Sequence, residues 1–238
     1  MNQQLICPNT CGEIHEALLQ MHPTKAPGPD GMPALFFQHH WHIVGKDITC
    51  FVLDILNGVS IPGKVNNTFI TLISKIKALN TPKDFRPISL CNVIYKLVSK
   101  VLVNRLKSIL PSIIHEGQSA FVPGHMITDN ILVAFEHFHY MKKKRRNGGK
   151  GYMALKLDMS KTYDRVEWVF LEQRLTKLGF NTSWVRLIME CVTTVTHIVL
   201  VNSQATFHFQ PSRGLPQEDL LSPIYIFSVH RGPCYFDK

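Results

Sequence analysis

The chain has 238 residues, 45% of them hydrophobic and 18% charged, a balance that excludes intrinsic disorder and leaves room for a sizeable core. Its formal net charge of +9 and sequence pI of about 9.3 point to a polyanionic partner, nucleic acid ahead of an anionic membrane surface. There is no N-terminal secretory pattern and no apolar run near the ~18 residues that a membrane span needs.

The six cysteines, Cys7, Cys11, Cys50, Cys91, Cys191 and Cys234, form no CxxC pair and mostly sit in apolar runs. They read as buried free thiols of a reducing compartment rather than as a disulfide framework. The cluster His39-His40-Trp41-His42 is a poor metal site, because adjacent residues point to different faces of a helix.

In chain order, Thr10 and Glu13 have capping-box spacing and open a short helix that runs to about Met21. Lys25-Ala-Pro-Gly-Pro-Asp-Gly31 is a rigid turn. Pro33 opens a long helix that ends at Asn57-Gly58, with Gly45 as its candidate break. Thr68 to Ile76 alternates and is β-branched, which predicts a strand. Phe85-Arg-Pro-Ile-Ser-Leu90 reads as extended chain, since Pro87 biases its neighbour away from helix.

Val93 to Leu110 is the clearest amphipathic helix: Ile94, Leu97, Val98, Val101, Leu102 and Leu106 recur at helical spacing. Lys96, Lys100, Arg105 and Lys107 occupy its other faces, and Pro111 ends it. After a loop carrying Gln118-Ser-Ala-Phe-Val-Pro-Gly124, a helix spans Ile127 to about Met141. The run Lys142, Lys143, Lys144, Arg145 and Arg146, followed by Gly148-Gly149, reads as an exposed basic loop. If about four of its side chains neutralise phosphates on duplex, log K falls against log salt with a slope of roughly −3.6.

An apolar strand, Met153 to Leu157, then ends on Asp158, and a helix begins near Val166 and runs to about Leu178. Asp164 is expected to cap that helix. A further helix covers Thr182 to Cys191, and His197–Val201 and Thr206–Gln210 form a hairpin around Asn202-Ser203. Ser212 to Pro223 leads into a last apolar helix. The whole reads as one α+β unit.

Six stretches carry a resemblance: Lys25 to Gly31, Phe85 to Leu90, Gln118 to Gly124, Ile127-Thr-Asp-Asn130, Leu155-Lys-Leu-Asp-Met-Ser-Lys-Thr-Tyr-Asp-Arg-Val-Glu-Trp168, and Ser212-Arg-Gly214 with Leu221-Ser-Pro223. In this order they resemble LINE-type (non-LTR) retrotransposon reverse transcriptases, in wording closest to those of plant genomes. The resemblance implies a right-hand polymerase fold, with fingers and fingers–palm helices over about 1–150. Residues of about 151–238 would then be an incomplete palm, an antiparallel sheet with packed helices. It implies RNA-directed DNA synthesis with RNA template, DNA primer and deoxynucleoside triphosphates as partners, Mg2+ as cofactor and no membrane. It is compatible with an intracellular, nuclear setting without fixing one.

By the same resemblance, Asp158 is the catalytic carboxylate that holds metal, since paired magnesium ions drive nucleotidyl transfer and bind carboxylates at strand ends. Tyr163 resembles the aromatic that excludes a ribose 2′-hydroxyl, with Thr162 where the family usually has alanine. Lys75 and Arg86 resemble the cations that clamp the triphosphate, Arg as a planar fork and Lys as a point charge. Gln217 belongs to the motif that contacts nucleotide and template.

Departures are also plain. Glu218 replaces a glycine; a carboxylate about 5 Å from a phosphate costs about 3 kcal/mol at an effective dielectric of 20. No adjacent Asp-Asp pair occurs anywhere, and the third palm motif and thumb are absent from these residues. The fragment by itself is therefore expected to be inactive. The alternative reading is a non-catalytic nucleic-acid-binding remnant that retains the fingers cations Lys75 and Arg86 and the Lys142 to Arg146 run, or the product of a pseudogene.

Overall fold

A computed structural model describes residues 2–78, 80–113, 126–146, 152–154, 162–202, 204–217 and 219–222. Helices α1 (Asn2–Ile6), α2 (Cys11–Leu19), α3 (Ala34–His39) and α4 (Trp41–Leu56) come first. Strand β1 (Asn67–Ser74) returns through a 3-10 turn at Pro82–Asp84 into β2 (Phe85–Cys91). Helices α5 (Val93–Ile113), α6 (Ile127–Arg146), α7 (Thr162–Arg165), α8 (Trp168–Lys177) and α9 (Thr182–Thr193) follow, then the hairpin β3 (Thr196–Val201) and β4 (Gln204–Phe209).

The capping box at Thr10 forms: the Thr10 hydroxyl accepts from Glu13 N–H, and the Glu13 carboxylate accepts from Thr10 N–H. The long helix expected from Pro33 is two helices. The break falls at His40 rather than Gly45. Gly45 lies inside α4, where an added Cβ would come within 2.8 Å of the Trp41 ring, so the glycine is a packing position rather than a break. Helix α5 runs on to Ile113 with Pro111 inside it. Arg105, expected on a polar face, is buried.

Helix α6 continues to Arg146, so the basic run is a helix end and not a loop. Lysine and arginine are good helix formers, and positive charge is favoured at a helix C-terminus. The helix expected from near Val166 to about Leu178 forms as α8, and the short α7 precedes it. Glu167 stands at the N-cap of α8 without a side-chain capping bond, its carboxylate pairing instead with Arg213 at 3.2 Å, and Asp164 lies inside α7 rather than capping α8. Cys91 and Cys191 are buried as expected, but Cys7, Cys11 and Cys50 are exposed.

Helix α5 is the centre of the core. Leu97, Val98, Val101 and Leu102 meet Ile14, Leu18, Val52 and Ile55 of the earlier helices, with Leu171, Leu175 and Ile188 of α8 and α9 in the same cluster. Beside it lies a four-stranded sheet in the order β2-β1-β3-β4. β1 pairs antiparallel with β2, and β3 antiparallel with β4, but β1 and β3 run parallel. The hairpin β3–β4 is antiparallel as expected, Leu155 to Asp158 of the strand expected beside it lie outside the described residues, and the sheet as a whole is mixed because β1 joins β3 in parallel. The chain from β2 to β3 passes through a series of helices, and a parallel pair requires such a long crossover.

Pro87 sits in the edge strand β2 opposite Leu72. Ser89, two residues on, turns its N–H outward to the Gln217 carbonyl at 3.1 Å. Pro87 shares that outward direction, so its missing N–H costs no ladder bond. The turn residue Asn202 has φ 51, as a tight hairpin turn requires. Asp158, Leu155–Leu157, the Gln118–Gly124 loop, Glu218 and the expected last helix lie outside the described residues. Met153 and Ala154, the described part of the expected strand, have no regular secondary structure.

Candidate functional site

The second half of the Asp158 run, Tyr163 to Trp168, and the loop carrying Gln217 are tied together by hydrogen bonds. Leu215 N–H donates to the Tyr163 carbonyl at 2.7 Å and Gly214 N–H to the Val166 carbonyl at 2.8 Å. The Trp168 indole N–H closes the arrangement on the Gly214 carbonyl at 2.8 Å. Gly214 has φ +89, and an added Cβ would stand 3.1 Å from the Tyr163 oxygen and 3.3 Å from Asp164 Cα. Only glycine fits both the dihedral and the gap. That is the physical content of the Arg-Gly pair in the sequence motif.

A cleft of about 240 Å³ opens here, lined among others by Pro87, Ser89, Asp164, His197, Gly214 and Gln217. Asp164 is exposed at it, and Tyr163 is half-buried against the core. Burial holds the His197 imidazole below its usual pKa, so it is neutral at physiological pH. Its Nδ1 has no hydrogen-bond partner among the described residues, and its ring stands 5.4 Å from that of Phe209. The described residues therefore bring Tyr163 and Gln217 to one place.

Lys75 and Arg86 meet elsewhere, at the turn end of the β1–β2 hairpin. Arg86 is the cross-strand partner of Ile73, and Lys75 N–H extends the ladder to the Asp84 carbonyl at 2.8 Å. Both are exposed, and Lys75 Nζ donates to the Lys83 carbonyl at 3.1 Å. Strand side chains alternate in face, so Arg86 lies opposite to Pro87 and Ser89, which line the cleft. The 3-10 turn beside the two cations is capped by Asp84, which accepts from the N–H groups of Asn80 and Thr81. These bonds hold its carboxyl below the usual range.

The basic run ends α6. Lys142, Lys143 and Lys144 are exposed, and Lys144 Nζ donates to the Tyr152 hydroxyl at 2.8 Å while lying over the Tyr140 ring. Successive helix positions turn by about 100°, so these five residues do not share one face. Among the described residues no group of at least three His, Cys, Asp or Glu could hold a metal ion. Asp158, the expected ligand, lies outside them. No helix of the described residues is long and apolar enough to cross a membrane.

Two residues escaped the sequence reading. Asn92 joins three segments: its Oδ1 accepts from Asp30 N–H at 3.2 Å, and its Nδ2 donates to the carbonyls of Lys64 and Val65 at 3.1 and 3.2 Å. Gly28 of the proline-rich turn packs so tightly there that a Cβ would come within 2.4 Å of the Asn92 nitrogen. An Asn ahead of a helix signals a cap, which hid this bridging role. Asp219 is the other: it is buried in the Gln217 loop, and burial pushes its carboxyl up to about 7 against bonds from Leu220 N–H and the Ser222 and Tyr95 hydroxyls.

Residues 73–230 match the family described as reverse transcriptase (RNA-dependent DNA polymerase). Over 237 residues, 99% of this chain and 18% of the relative, the chain is 30% identical to the transposon TX1 uncharacterized 149 kDa protein of Xenopus laevis. It is 24% identical over 202 residues to the retrovirus-related Pol polyprotein from type-2 retrotransposable element R2DM of Drosophila melanogaster, covering 84% of this chain and 18% of that one. To the probable RNA-directed DNA polymerase from transposon BS of Drosophila melanogaster it is 27% identical over 169 residues, or 66% and 17% of the two. The chain spans less than a fifth of the length of these relatives.

Proposed function

Because the chain belongs to the reverse transcriptase family, on its non-LTR retrotransposon branch, we propose that it forms the fingers and early palm of an RNA-directed DNA polymerase of the LINE type. The observation that carries this reading is the joining of the Tyr163 turn to the Gln217 loop through Gly214. In the proposed roles, Tyr163 lies under the sugar of the incoming deoxynucleotide and Gln217 contacts that nucleotide and the template. Lys75 and Arg86 would hold its triphosphate with the end of the β1–β2 hairpin folded over the cleft, since Arg86 lies on the opposite face of β2 from the cleft-lining Pro87 and Ser89. Asp158 would hold magnesium, which neutralises phosphate charge and activates the primer hydroxyl when bound. The described residues alone do not form that site, and what they contribute is positioning.

The decisive measurement is incorporation of deoxynucleotides on a primed RNA template. These 238 residues contain no adjacent Asp pair, so by themselves they are expected to bind primer–template without extending it. Placed in a polypeptide that carries such a pair in its palm, they are expected to extend the primer, and Asp158→Ala to abolish extension. Extension that survives Asp158→Ala, or failure to bind primer–template, overturns the reading.

A further inference from the structure

The Gln217 loop contributes to two cavities. Gln217 lines the cleft described above, and Leu220 lines a second cavity of about 250 Å³ among α2, the Lys25 turn, α3 and α5. Its polar walls include Lys25, Lys96, Lys100 and His22, and Val93 and Leu220 supply apolar surface. Among the described residues that line it, none is Asp or Glu.

Lys96 and Lys100 are one helical turn apart, so they stand on one face of α5. Both are only partly exposed, and Lys96 Nζ donates to the Ala26 carbonyl at 3.4 Å. Burial holds both ammonium groups below their usual pKa. The charge of Lys25 adds to this at Lys96, and that of Lys107 at Lys100, while Cys91 and Asp30 oppose it at Lys96. Cations gathered in a partly dehydrated space raise one another's energy, and a seated anion reverses that.

We propose that this cavity is an anion site that takes a phosphate group between Lys96 and Lys100, with Lys25 and His22 beside them and Val93 and Leu220 receiving the attached sugar or base. The phosphate comes from a free nucleotide or from a nucleic-acid strand. The site is separate from the Lys75–Arg86 end of the hairpin, and its binding does not depend on whether the chain polymerises DNA.

Calorimetric titration of the whole chain with inorganic phosphate, a deoxynucleoside triphosphate and a short single-stranded oligonucleotide tests it. Lys100→Gln and Lys96→Gln are each expected to weaken binding about tenfold, and the double variant more. Lys96→Arg, which keeps the charge, retains most of the affinity. Lys177→Gln, an exposed cation of α8, makes the same change in net charge and leaves the affinity unaltered. Loss confined to phosphate and triphosphate identifies a free nucleotide; loss confined to the oligonucleotide identifies a strand. Binding at alkaline pH is also expected to take up protons, read from heats in buffers of different ionisation enthalpy. If Lys100→Gln, the better-exposed position and the safer fold, binds every probe as the unaltered chain does, the site does not exist. The same conclusion holds if the unaltered chain binds none of them.

Discussion

Arg105, in the second half of α5, meets both carboxylate oxygens of Glu13 at 2.8 and 2.9 Å, and the carbonyls of Leu5, Cys7 and Pro8 at 2.7–3.0 Å. Near the start of the same helix, Tyr95 faces the buried Asp219, which is held by hydroxyl and backbone donors. The two carboxylates respond in opposite directions. The Arg105 guanidinium holds Glu13 below the usual carboxylate range, whereas burial raises Asp219 to about 7. The clamp on α1 and α2 is therefore built from full charges and is unchanged around neutrality. The loop that carries Gln217 rests on a group whose charge changes near neutrality.

Arg105→Ala breaks this comparison most severely. It leaves three carbonyls without their donor and Glu13 with only its Thr10 bonds. Because the Glu13 side chain is 34% exposed, the cost is expected at or below the lower end of the about 3–5 kcal/mol of a fully buried pair. Urea unfolding measures it, and the midpoint is expected to fall sharply without a change in slope.

Gly214→Ala acts at the other region and locally. The φ of +89 and the 3.1 Å approach to the Tyr163 oxygen are expected to cost about 1–3 kcal/mol. Hydrogen exchange is expected to quicken at the Leu215 and Gly214 amides, which bond Tyr163 and Val166, while α2 amides keep their protection.

The pH dependence separates the two carboxylates most finely. Asp219 is raised in the folded state, so its share of stability is full below its ordinary value of 3.8 and is lost as pH rises through about 7. Glu13 is lowered, so its share is present above its ordinary value of 4.5 and is lost as pH falls through its folded value. Urea unfolding between these limits is expected to show stability falling with pH by at most about 1.4 kcal/mol per unit. Asp219→Asn should flatten that fall and leave the acid-side loss due to Glu13 in place. A fall that persists in Asp219→Asn would assign it to another group.

Much of the local structure was legible. The Thr10 box, strand β1, the extended Phe85–Leu90 segment and the β3–β4 hairpin stand where the residues place them, within a residue or two at their ends. The misplaced boundaries have local causes too. Gly45 serves close packing against the Trp41 ring rather than a break, and Lys142–Arg146 prefers helix because nothing in it breaks one. Of the candidate site, Tyr163 and Gln217 are joined, Lys75 and Arg86 share a hairpin end, and Asp158 lies outside the described residues.

By itself, the sequence determined the individual elements and the family, because caps, alternation and short motifs depend on residues a few positions apart. Tertiary structure alone decided the parallel pairing of β1 with β3, the burial of Arg105 and the seating of Gly214 against Tyr163. It also decided the gathering of Lys25, Lys96 and Lys100 around one cavity. Each of these depends on residues far apart in the chain, and no periodicity records such meetings. They arise when α5 becomes the shared core of helices on both sides, since burying its apolar surface brings the distant segments together.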